Sequence, residues 1–187
     1  MALTEIFKIQ CVFDETMQGK FMDIPKNQKP PKSNFDWERF LRYVVEAYGS
    51  LEQPKYFFSR RWFEEPKYPE MLDFIKENYQ FSEDTEPNAD VSYSFVLKKG
   101  EEGAVMQVSF VGPYFYLSKI LPDGSPSLPE EDLSSRDFRF SMLKYMREAG
   151  FIFTHHAALS KKILFGGESV SVYSILYCYE YEPSWVA

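Results

Sequence analysis

At 187 residues, 44% hydrophobic and 18% aromatic, the chain can bury one generous core, which excludes intrinsic disorder over most of its length. A net charge of −7 and an isoelectric point near 5.0 argue against a phosphate-binding module, so nucleic acid is not an expected partner. The charge is also unevenly placed: residues 64–90 hold nine acids and two bases (Lys67 and Lys76), and the rest of the chain is neutral.

In chain order, Phe7, Ile9, Cys11 and Phe13 alternate with Lys8, Gln10 and Val12, the period of an opening strand with one buried face. Residues 20–32, with lysines and prolines throughout, read as an extended surface loop. Ser33 or Asn34 is placed to cap a helix over 35–48 whose apolar stripe is Trp37, Phe40, Leu41, Val44, Val45 and Tyr48, with Gly49 as its stop. An aromatic knot follows, Tyr56-Phe57-Phe58 and Trp62-Phe63 around Arg60-Arg61. Pro69 opens a second helix over 69–79, with Met71, Phe74, Ile75 and Asn78 on one side and Glu70, Asp73 and Glu77 on the other. An acidic loop, 82–90, leaves it.

The middle of the chain predicts an antiparallel meander: 91–97 and 104–111 flank a glycine-containing turn, and Gly112-Pro113 leads into a third strand at 114–121. Ser134 with Asp137 has the form of a capping box for a helix over 134–149, striped by Phe138, Met142, Tyr145, Met146 and Ala149 and stopped by Gly150. A short strand at 151–154 and a closing hairpin, 163–165 and 170–181 about Gly166-Gly167, complete the reading. With no internal repeat and no linker, the expectation is a single α+β domain over 1–187: a mostly antiparallel sheet of five to seven strands with about three helices packed on one face.

Chemical signatures are few. Cys11 and Cys178 lie in apolar stretches and read as reduced, buried thiols, with one disulfide between terminal strands as the alternative. The first ten residues lack the apolar core of a signal peptide, and the longest uncharged run, 103–118, is too short to span a bilayer, so a cytoplasmic protein without membrane contact is expected. His155 and His156 are adjacent and point apart, which predicts no metal site. No nucleophile elbow, phosphate-binding loop or dinucleotide fingerprint occurs, so no catalytic residue and no cofactor are assigned. The paired carboxylates Glu64-Glu65, Glu83-Asp84 and Glu130-Glu131-Asp132 sit in polar, proline-flanked sequence and read as solvated.

Arg60-Arg61-Trp62-Phe63 has the composition of an interface hot spot and, equally, of a core strand or turn whose arginines pair with Glu64-Glu65. The inferred architecture resembles that of many small acidic, aromatic-rich α+β proteins that act as immunity partners to bacterial toxins, a resemblance of class carried by no motif. It implies a non-enzymatic module that engages a basic protein partner, with Glu70, Asp73, Glu77, Glu83, Asp84 and Glu86 steering the encounter and Trp62 and Tyr79 as anchors. The alternatives are a small enzyme or ligand-binding domain whose pocket is lined by Tyr93, Tyr114 and Tyr116, and a structural subunit of an assembly.

Overall fold

A computed structural model describes residues 35–186. The expected strand at 7–13, the loop at 20–32, Cys11 and the Ser33 and Asn34 caps lie outside the described residues. Among the described residues six helices occur: α1 (Trp37–Tyr48), α2 (Phe58–Glu64), α3 (Pro69–Asn78), α4 (Phe140–Glu148), α5 (His156–Leu159) and α6 (Val172–Leu176). The strands β1 (Gln80–Glu83), β2 (Ser92–Lys99), β3 (Glu102–Ser109) and β4 (Tyr114–Lys119) form an antiparallel meander, as their short connections require. A fifth strand, β5 (Ile152–Phe153), joins β4 in parallel after a crossover through α4. Two more, β6 (Lys162–Phe165) and β7 (Glu168–Ser171), pair as a separate hairpin.

The register sorts the side chains of the large sheet onto two unlike faces. On one face, Tyr93, Phe95 and Leu97 of β2 lie opposite Val108, Met106 and Ala104 of β3, and Phe115 and Leu117 of β4 continue the rows. This face is apolar, and Met71 and Ile75 of α3 close it together with Met142, Leu143 and Met146 of α4. On the other face, Ser94, Gln107 and Tyr116 lie side by side. That alternation reads as a solvent face, yet all three are buried. Gln107 donates to Ser94 Oγ at 3.4 Å and accepts from the Tyr173 hydroxyl at 2.9 Å, so the polar row is hydrogen-bonded to the layer above it. That layer is built from Phe40, Val44 and Tyr48 of α1, the β6–β7 hairpin, α6 and Trp185, whose ring lies edge-on to Tyr116 and Tyr173.

The α+β class stands, and four details change. Helices cover both faces of the sheet, because a polar strand row can be buried when a hydrogen-bonding layer is supplied. The seven strands among the described residues divide into sheets of five and two, with one parallel pair. Two caps also move. The N-cap of α1 is Asp36, whose Oδ1 accepts from the Arg39 amide at 2.9 Å, and Gly49 closes the helix at φ 79°. The helix expected from residue 134 starts at Phe140: Asp137 Oδ1 accepts from the Arg139 amide at 2.9 Å and its carboxylate takes the Arg139 guanidinium at 3.0 Å and 2.7 Å, so it closes the turn ahead of the helix instead of reaching back to residue 134. After the Gly166-Gly167 turn the closing segment does not continue as a strand; Ser171 caps α6, its Oγ accepting from the Ser174 amide at 3.0 Å.

Candidate functional site

The carboxylates of Glu70, Asp73, Glu77, Glu83, Asp84 and Glu86 are all exposed, and among the described residues only Asp73 meets a base, Lys76 Nζ at 3.5 Å. Proline at the start of α3 and the burial of Met71 and Ile75 turn its acidic positions outward. The structure divides the six. Glu70 and Asp73 act on the phenol of Tyr145, which burial and these charges push up. Asp84 and Glu86 lie beside Asp90, whose backbone bridges to Cys178 in the layer on the opposite sheet face.

The two expected anchors fare differently. Trp62 is half-buried, with the Arg61 guanidinium 5.0 Å and the Lys67 ammonium 5.2 Å from its ring. Tyr79 is a correction: it is 8% exposed, shares a 2.6 Å hydrogen bond with Ser141 and donates to the Phe138 carbonyl, so it belongs to the core. At the C-terminus of α3 the chain turns into β1, and that turn points the ring inward.

An aromatic surface that sequence reasoning missed lies at the other end of the chain. Tyr56 and Tyr179 are 40% and 44% exposed with ring centroids 5.4 Å apart, and Phe57 and Tyr181 next to them in sequence are more exposed still. Tyr56 is braced edge-on by Tyr48 at 5.3 Å, so the pair rests on the core rather than swinging free. Carboxylates are near enough to act on it: burial pushes both phenols up, and Glu168 adds to this at Tyr56 and Glu180 and Glu86 at Tyr179. The loop half of the acidic segment thus does meet exposed aromatics, and they are not the ones the local sequence offers. The signal was the excess of tyrosine in 177–181, which a strand reading absorbed.

Other chemistry is inert or structural. Burial and a hydrogen bond with Asp90 push the Cys178 thiol up to about 11, the opposite of what a nucleophile needs. His155 Nε2 lies 2.5 Å from Glu131, which also holds Arg147 at 2.5 Å, while His156 opens α5. No three metal-ligating side chains converge among the described residues. Tyr93 projects from the apolar sheet face and Tyr114 and Tyr116 from the other, all at most 3% exposed, so they line no common pocket. No described helix is long and apolar enough to cross a membrane. A cleft of about 340 Å³ does open between α3 and the end of α4, lined by Tyr68, Glu70, Met71, Pro113, Tyr145, Ala149 and Phe151. Compared with known proteins, the chain matches no family model, no curated protein and no solved structure.

Proposed function

We propose that the chain is a non-enzymatic binding protein of the immunity or inhibitor type, engaging a basic protein partner in the cytoplasm. The observation that carries this reading is the exposed Tyr56–Tyr179 pair set among Glu86, Glu168 and Glu180. Aromatic side chains held rigid at a surface supply most of the energy of an interface, and these carboxylates, which pair with no base among the described residues, favour a cationic partner. Glu70, Asp73, Glu77, Glu83 and Asp84 add to the long-range field, which raises the rate of encounter most at low salt. A basic nuclease toxin is a partner of this chemistry.

The test uses tagged wild type beside a variant carrying Tyr56→Ser, Tyr179→Ser, Glu86→Gln, Glu168→Gln and Glu180→Gln, as baits at low and high salt. One basic protein should be held by wild type at low salt, released as salt rises, and not held by the variant. Once purified, it should bind the variant at least about tenfold more weakly, a difference of about 1.4 kcal/mol. A partner whose binding ignores both salt and the five substitutions would sink the reading.

A further inference from the structure

We infer that the cleft between α3 and α4 is a receptor for a single arginine side chain displayed by another protein. Among the described residues its walls are three aromatic rings, Tyr68, Tyr145 and Phe151, and its one charged lining group is the Glu70 carboxylate. The rings are fixed in place. The Tyr68 hydroxyl donates to the carbonyls of Ser109 at 3.1 Å and Gly112 at 3.2 Å, and its ring meets Phe151 edge-on at 4.9 Å. Tyr145 is stacked on Phe74 with centroids 3.8 Å apart and planes within 6°. Such a cleft offers π faces and an acceptor but, among the described residues, no cationic lining group.

That combination selects a guanidinium. It is planar and weakly hydrated, it stacks on aromatic faces, and its fork of N–H donors matches a carboxylate. The volume, about 340 Å³, sits at the low end of ligand pockets, suiting one long side chain better than a cofactor. The surrounding charge agrees: Asp73 joins Glu70 in acting on Tyr145, while the nearby bases of α4 are engaged, Lys144 with Glu148 and Arg147 with Glu131. Lys67 also meets Tyr68, its ammonium 5.4 Å from the ring centroid, but it is turned to the Phe110 carbonyl. This site is separate from the Tyr56–Tyr179 face and does not depend on it.

The probe is a labelled, otherwise uncharged peptide with one arginine, compared with the same peptide carrying citrulline, a neutral isostere. Wild type should prefer arginine by about tenfold or more, the preference expected of a cation–π contact reinforced by a carboxylate. Glu70→Gln and Tyr145→Leu should each abolish most of the preference; Tyr145→Phe, which keeps the ring, should retain it; Glu77→Gln on the same helix and Tyr179→Ser on the other face should leave it intact. Free arginine should compete only weakly, because the site is proposed for a tethered side chain. Equal binding of the two peptides to wild type, absence of binding by both, or a preference that survives Glu70→Gln and Tyr145→Leu would each overturn the inference. Because the Tyr56–Tyr179 variant is tested separately, the two proposals stand or fall apart.

Discussion

Lys67 holds its ammonium among aromatic rings with a carbonyl as its hydrogen-bond partner, and burial pulls its pKa down from 10.5 to about 8. Between those values the unfolded chain binds a proton at this position that the folded chain has released. The folded state therefore gains stability as pH rises through that window, and below about 8 it carries the full cost of a half-buried charge. The buried phenols act the other way, since their raised pKa values favour the unfolded state once free tyrosine ionises. Comparing wild type with Lys67→Met cancels that contribution. In paired urea melts, wild type should gain on the variant from pH 8 to pH 10.5, and a difference that stays flat would exclude a strained ammonium at this site. At the same scale, the exposed aromatics differ from the expected anchors because a residue's neighbours, and not its type, decide whether it is surface or core. Tyr79 was drawn inward by Ser141, whereas Tyr179 was left outside.

Among the elements, the β6–β7 turn holds one position, Gly167, that is fixed by backbone geometry and not by packing. Gly166 and Gly167 adopt φ 63° and 86°, and a Cβ on Gly167 would meet nothing within 4 Å. Gly167→Ala should cost about 1 kcal/mol from the left-handed backbone, and Gly167→Asn clearly less, because asparagine tolerates that region. Equal losses in urea denaturation would show that the turn is not limited by φ. The elements legible in sequence were those with a clear period or a strong breaker: α1 by its six-residue stripe, α3 by Pro69 and its acidic face, and the meander by its alternation and glycine turns. Those that escaped lack a period. Every residue of α6 is buried, so Val172 to Leu176 shows no polar side to betray a helix, and Ser171 was its only signal. The aromatic run around α2 reads equally as an interface hot spot or as a core strand or turn, and it folds as a helix. The candidate site was half legible: its carboxylates by composition, its tyrosines only once the fold had brought 177–181 against residue 56.

At the scale of the molecule, one sheet separates two cores that have no reason to unfold independently, because β2, β3 and β4 send alternate residues into each. Phe40 in one core and Phe95 in the other are both fully buried. Phe40→Ala and Phe95→Ala should each cost about 3–5 kcal/mol, and each should lower a single transition seen alike by circular dichroism and fluorescence. Two separated transitions in either variant would mean the layers fold as independent units. Trp185, edge-on to Tyr116 and Tyr173 above the polar sheet row, has a further consequence, since the other two tryptophans sit elsewhere, Trp37 against Phe35 and Phe40, and Trp62 beside Lys67. The protein thereby carries a separate optical emitter in each of three places. Retaining one indole at a time and replacing the others with phenylalanine would let closure of the C-terminal layer, docking of α1 and events beside the α3 cleft be timed separately, in a single chain without any added dye.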